Sequence, residues 1–576
     1  MRNSLLIFLF FLASLQVFGQ DTPLDFITDK SPCAFGVQRE VRAVWLTTLS
    51  GLDWPKARSK SHESMEQQKR ELRQILDKLQ ACGINTVIFQ TRIRGTVVYP
   101  SALEPFDPCL TGKAGENPGY DPLKFAIDEC HRRNMELHAW VVAFPICKNT
   151  VVKELGSRTL PRRRPDLCQP SNEQWLMDPG VPGTADYLAD ICEEIARNYD
   201  IDGISLDYIR YPEAGIKFSD AKTFKKYGNG LSLKQWRTRN VDRCVEAIHH
   251  RVKALKPWLK LSCSPVGKYA DLPLHSSRGW NARDAVNQDV IKWMDKGWMD
   301  LIFPMMYFTG EHFYPFVPDW KKKAGDKVVA PGLGIYFLSP NEKNWNLRTI
   351  SDELNYVRMC QTGGVALYRE KFLRDNHKGL YDYLRNDHFL KTALPPGISH
   401  DGAKPEKPQA LRADDGGKAQ LTWDAVKDAH HYNVYLLEDS VFDDHSVRLL
   451  ATNVKETAYT FAPLLAKMLQ KSLAVTAVDA YGCESEACIL APTTNACCNT
   501  PHVGNVLDIP PFAATSLQIL DLTGRIVLQK PYCKRLDISE LPTGFYTLRS
   551  IGKKQASHTL QFFYHVAEHP ENSSVH

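Results

Sequence analysis

Residues 202–212 read Asp202-Gly203-Ile204-Ser205-Leu206-Asp207-Tyr208-Ile209-Arg210-Tyr211-Pro212. A short apolar run bounded by Gly and Pro suits a strand buried on both faces, the kind from which parallel barrels are built. The same run delivers a carboxylate, two tyrosines and an arginine to one strand end, where such barrels carry their chemistry. Asp207 is therefore the first residue expected to matter.

Outward from this block the sequence alternates apolar strand-like runs with amphipathic helix-like stretches, which implies βα units and a parallel sheet. Eight strand candidates follow: Val41 to Thr48, Thr86 to Thr91, Glu136 to Val142, Gly203 to Tyr208, Lys260 to Pro265, Leu301 to Tyr307, Val328 to Gly334 and Val365 to Tyr368. Helical spacing is clearest at Leu72, Ile75, Leu76 and Leu79, ahead of a Gly83 stop. This α/β pattern predicts a (β/α)8 TIM barrel over residues 37–395, followed by two small all-β sandwich domains.

The chain has 576 residues, too many for one ordinary core, and a net charge of +5 that is small for its size. The basic cluster Arg158 and Arg162-Arg163-Arg164 lies between prolines and reads as a solvated loop; no nucleic-acid module accompanies it. Residues 1–19 have Arg2, an apolar run from Leu5 to Leu15 and Gly19, the form of a secretory signal peptide, so the protein is expected to be exported without an integral membrane span. The 15 cysteines are an odd, dispersed set expected to be mostly buried thiols; Cys483 with Cys488, and Cys497 with Cys498, are the local clusters where bridges are permitted. No His-Glu-x-x-His or comparable spacing calls for a metal, and no cofactor is expected.

Polar residues after each strand of a barrel converge on one mouth. Here they are Thr47 and Thr48; Gln90, Arg92 and Arg94; His138 and Trp140; Asp207, Tyr208 and Arg210; Ser264; Met306 and Tyr307; Tyr336; and Tyr368, Arg369 and Glu370. One acid among hydrogen-bonding groups and rings suits a sugar pocket, since pyranose faces stack on aromatics while hydroxyls take polar groups. The alternative for Asp207 is an ion pair with Arg92 or Arg210 that closes the mouth. His138 reads equally as a core histidine or a substrate hydrogen-bonder, and Met306 as strand packing.

Glu40-Val41-Arg42-Ala43-Val44-Trp45, Gln90-Thr91-Arg92 followed by Tyr99-Pro100-Ser101, His138-Ala139-Trp140, Met177-Asp178-Pro179-Gly180, the 202–212 block and Phe303-Pro304-Met305-Met306-Tyr307 together resemble glycosyl-hydrolase-like family 10 of exported bacterial proteins. The resemblance spans residues 39 to about 393. It implies a barrel that cleaves peptidoglycan glycan strands freed of their stem peptides, hence a polysaccharide partner. On that basis Arg92 is expected to tune Asp207 or to hold a ligand carboxylate such as the muramic lactyl group.

Glycoside cleavage normally needs two carboxyl groups. Compared with the acidic strand of chitinase-like barrels, this chain keeps Asp202, Gly203 and Asp207 but has Ser205 and Ile209 at the other acidic positions. Candidates for the partner are Glu370, Glu311 and Asp289, while Asp300, at the start of a strand, belongs to the opposite face. The competing functions are a non-catalytic glycan-binding barrel and a deacetylase or other hydrolase on the same polymers.

Beyond residue 404 period-two strands replace the alternation. Pro405-Glu406-Lys407-Pro408, Leu421-Thr422-Trp423, Tyr432-Asn433-Val434-Tyr435 and Leu473 to Val478 resemble a fibronectin type III sandwich over 404–493. Leu517 to Val527 and Leu541 to Leu548, within 510–566, resemble the C-terminal sorting domain of the type IX secretion system, with a polar ending, Glu568 to His576, in place of an apolar strand followed by lysine.

Overall fold

The computed structural model describes residues 36–564, apart from 214–215, 217, 399–401, 415–418, 439–441, 462–467, 470, 492–505, 510–514, 522–524, 543 and 553–554. The expected signal peptide, Cys497 and Cys498 lie outside the described residues.

Eight parallel strands form the barrel: β1 (Val41–Leu46), β2 (Thr86–Arg92), β3 (Glu136–Val142), β4 (Gly203–Asp207), β5 (Lys260–Cys263), β6 (Leu301–Ile302), β7 in two pieces (Val328–Val329 and Gly332–Leu333) and β8 (Gly364–Leu367). The ring closes at β7. Its first piece pairs with β6 and its second with β8, and β8 in turn pairs with β1. Pro331 stands between the pieces; it has no N–H to give the ladder, and its carbonyl accepts from Ala366. Gly332 is required there because a Cβ would lie 2.9 Å from the Trp45 ring.

A helix follows each strand: α1 (His62–Cys82), α2 (Pro122–His131), α3 (Pro182–Asn198), α4 (Leu233–Leu255), α5 (Val290–Asp295), α6 (Phe316–Ala324), α7 (Leu347–Met359) and α8 (Leu380–Tyr383). α1 carries the expected stripe: Leu72, Ile75, Leu76 and Leu79 are buried, Ser61 caps its start, and Gly83 ends it in the left-handed region at φ 87°.

Period-two alternation divides the strand residues into two cores. Val44, Leu46, Val87, Phe89, Leu137, Ala139, Ile204, Leu206 and Leu367 face the helices. Ala43, Trp45, Ile88, Trp140, Val142, Leu301, Phe303, Ala330 and Ala366 fill the barrel, with Tyr368 packed against them. The upper members of this inner set, Trp45, Trp140 and Tyr368, are the floor on which the mouth is built.

Val37–Arg39 pairs with Thr392–Leu394, and Arg39 reaches Asp444 at 3.1 Å and Glu484 at 2.5 Å on the next unit. That unit is two antiparallel sheets, of three and four strands, packed over Trp423, Tyr432, Leu450 and Phe461. A further pair of small antiparallel sheets, of two and four strands, follows from Val506. Cys483 and Cys488 are free thiols. Among the described residues no helix is long and apolar enough to cross a membrane.

Candidate active site

Asp207 ends β4 on the inward side, two residues beyond Ser205 and level with Val142 of β3. It is 6 % exposed. Its Oδ1 accepts the Tyr208 N–H at 2.8 Å and its Oδ2 accepts the Trp140 Nε1–H at 3.1 Å. Tyr208 takes a positive φ of 51°, which turns the chain so that its own N–H points back at the carboxylate and its ring stands 40 % exposed. Neither Arg92 nor Arg210 is bonded to Asp207. Burial therefore dominates and pushes its carboxyl up to about 6, against the two N–H donors and the more distant Arg210 charge.

Aromatic rings wall the site. Tyr307 and Tyr368 stack at 5.3 Å, Tyr336 stands edge-on to both, and Trp45 lies edge-on to Tyr368 at 5.9 Å. Burial raises the phenols of Tyr307, Tyr336 and Tyr368, Tyr336 to about 12, so all three remain hydrogen-bond donors at neutral pH. Arg210 is clasped over the Tyr208 ring at 4.8 Å and the Trp280 ring at 5.4 Å, with Glu213 at 3.2 Å from its guanidinium.

Several expected site residues stand elsewhere. Arg92 does not face the mouth: β2 bulges between Gln90 and Arg92 against Trp140 and Val141, and the extra residue re-aims the side chain outward. Its guanidinium is fully buried on Glu104 at 2.7 Å and on the Val142 and Ala143 carbonyls. Arg94 is the β2-exit cation left at the mouth, half-buried, unpaired among the described residues, and close enough to act on the Tyr208 phenol.

His138 points inward but sits one layer too deep, two residues and so about 6–7 Å below Trp140. It bonds Glu136 at 3.0 Å, Glu136 pairs with Lys260 at 2.6 Å, and the ring covers Gly203, where a Cβ would lie 2.8 Å away. Met306 is buried in the outer core; counting by twos from Phe303 puts Met305 and Tyr307 inward instead. Gln90 is inward, but its Oε1 is consumed by the Thr47 hydroxyl and the Thr48 and Leu49 N–H groups, bracing the loop after β1.

The candidate second carboxyls do not join Asp207. Glu370 is fully buried at the first position of the helix Glu370–Arg374, 2.9 Å from Arg374, and burial raises it to about 8. Asp53, which the sequence did not suggest, is equally buried, accepting from Thr47 N–H and paired with Arg369. Glu311 is exposed on the loop after β6, bonded by Ser276 from the loop after β5. Asp289 precedes α5 and accepts from the Tyr269 hydroxyl at 2.7 Å. Asp300 lies at the opposite face, bonded to Leu261 N–H and Lys253. Among the described residues no three His, Cys, Asp or Glu side chains converge as a metal site.

A cavity of about 300 Å³ opens at that opposite face, between the N-terminal end of the barrel and the first β unit, lined by Glu136, Asp202, Lys260 and His431 rather than by Asp207. The strand C-terminal ends remain the candidate site, because there the loops supply polar groups that the packed barrel interior cannot expose.

Residues 40–340 match the family described as Glycosyl hydrolase-like 10. Glycosyl hydrolase YngK of Bacillus subtilis is 32 % identical over 432 residues, covering 69 % of this chain and 83 % of that protein. The chain belongs to this glycosyl hydrolase-like family. Glycosyl hydrolase DigH of Escherichia coli is 35 % identical over 371 residues, covering 58 % of this chain and 83 % of its own length. Among solved structures, the glycoside hydrolase domain of PgaB (BpsB) from Bordetella bronchiseptica aligns with a TM-score of 0.42 at 13 % identity, covering 60 % of this chain and 98 % of that one.

Proposed function

We propose that the protein hydrolyses glycosidic bonds of a bacterial cell-wall glycan, peptidoglycan strands lacking stem peptides or a related amino-sugar polymer, with Asp207 as the key carboxylate. The observation that carries this is Asp207 itself: a buried strand-end carboxyl, free of any ion pair and raised to about 6, at the floor of an aromatic mouth. A carboxyl so poised holds or releases a proton near the working pH, as glycoside cleavage requires. Tyr208, Tyr307, Tyr336 and Tyr368 would offer ring faces and hydroxyl donors to pyranoses, with Trp140 and Arg210 positioning Asp207 and Tyr208. Arg94, rather than Arg92, would meet the muramic carboxylate. Export by the leader at 1–19, a fibronectin type III-like spacer at 404–493 and a sorting-like module at 510–566 belong to the same proposal.

The test is mass spectrometry of products after incubating the protein, and its Asp207→Asn variant, with peptide-free and peptide-bearing strands. Shortened glycans from the wild type alone, with preference for peptide-free strands, are the expected result. One observation favours a non-catalytic glycan-binding barrel: Glu370 and Asp53 are both fully buried and each is paired with an arginine. Retained binding without cleavage of either substrate would select that second reading.

A further inference from the structure

Beside the mouth lies a second, smaller cavity of about 50 Å³. It is a partly open recess between the β3-exit strands Pro145–Lys148 and Gln174–Met177, which pair antiparallel, and the β4-exit residues from Tyr208 to Glu213. Its wall is apolar at Phe144, Leu176, Met177 and Tyr211, and polar at Gln174, Arg210 and Glu213. Tyr208, the neighbour that bonds Asp207, is shared between this cavity and the mouth.

We infer that this cavity holds the acetamido group of one N-acetylated sugar residue of the glycan, and so makes the protein select N-acetylated over de-N-acetylated polymer. The inference rests on the glycan reading of the mouth. Size is the first argument. At about 10–15 Å³ per water-sized group, about 50 Å³ takes some four heavy atoms, which is an acetamido substituent and far less than a pyranose ring. Polarity is the second, since a methyl group needs the apolar wall and an amide needs a donor and an acceptor. The Gln174 carboxamide supplies both and makes no hydrogen bond among the described residues. Charge is the third. The guanidinium of Arg210 and the carboxylate of Glu213, both in the wall, pair with each other at 3.2 Å, and the guanidinium also lies over two rings, so the cavity suits a neutral group better than an added ion of either sign.

The experiment uses the full chain carrying Asp207→Asn, which allows binding to be measured by calorimetry whether or not the wild type turns over. Three probes of equal length are compared: an N-acetylglucosamine oligomer, its de-N-acetylated form, and that form re-acylated with butanoyl groups, which is neutral again but too large. The acetylated probe is expected to bind about tenfold tighter than either of the others, the worth of one buried methyl plus one hydrogen bond. Adding Leu176→Ala enlarges the cavity and is expected to admit the butanoyl probe. Should Leu176→Ala fail to fold, Gln174→Ala at the half-buried rim decides, by narrowing the preference for acetyl over free amine. Equal binding of all three probes overturns the inference and leaves the glycan reading standing. Binding of none overturns both.

Discussion

Trp140→Phe isolates the control of Asp207. Two N–H groups hold the carboxylate form down, from Tyr208 at 2.8 Å and Trp140 at 3.1 Å, while burial pushes the carboxyl up to about 6. Phenylalanine keeps most of the ring volume in the inner core and deletes only the donor. A hydrogen bond to a charged group contributes about 1.5–3 kcal/mol, and the longer Trp140 bond belongs at the lower end. At about 1.36 kcal/mol per pKa unit, its loss should raise Asp207 by about one unit, from near 6 to near 7. The sign is fixed because the deleted bond favours the charged form alone. Two measurements check it: the pH dependence of kcat/KM on peptide-free strands, and the ¹³C titration of the Asp207 carboxyl, which does not depend on turnover. The limb controlled by Asp207 moves to higher pH in either case, a falling limb if it donates the proton and a rising limb if it acts ionised. An inflection within about 0.3 unit of wild type, in a variant that still folds, would refute the claim that Trp140 sets this carboxyl.

Arg92→Ala leaves Glu104 buried without its partner and should cost about 3–5 kcal/mol of stability, read as a lower urea midpoint, with no selective loss of muramate-containing substrates. Arg94→Ala should leave the melting temperature within about a degree and raise KM several-fold, roughly 1 kcal/mol for a half-exposed charge contact, for carboxylate-bearing strands; strands whose carboxyls have been chemically reduced should show no such rise. Glu353 is buried in α7 with both oxygens unbonded, and burial raises it to about 9. A carboxyl raised on folding contributes fully below its unfolded value and loses that contribution as pH climbs toward the folded one. Glu353→Gln should therefore stabilise by about 3 kcal/mol at pH 7 and by almost nothing at pH 4, as chemical unfolding at the two pH values would show.

The barrel strands and the inward facing of Asp207 were legible because they rest on local chemistry. Apolar runs between Gly and Pro made the barrel strands, the stripe from Leu72 to Leu79 ended at Gly83 as its backbone requires, and Asp207 reached the inward face by the alternation of its own strand. The same alternation, counted from Phe303, separates Tyr307 from Met306, both expected from the sequence at the mouth.

What failed from sequence was whatever depended on a partner strand or a covering layer. The bulge that turns Arg92 outward exists only in the pairing of β2 with β3, and a single inserted residue reverses the facing of a period-two element. His138 has the parity of a site residue, yet depth along the barrel axis depends on register, and Lys260, on another strand, makes its layer an ionic one. Glu370 sits at the right strand end, but packing around Arg374 seals it. Trp280 reaches Arg210, and Gln174 the small cavity beside the mouth, on excursions of the chain that no periodicity marks. Sequence alone therefore determined which side a residue takes on an unbroken strand, as at Asp207, since that is a property of consecutive peptide units, whereas a bulge such as the one before Arg92 is set by the partner strand. Tertiary structure alone decided which inward groups meet solvent and substrate, because exposure is set by segments distant along the chain.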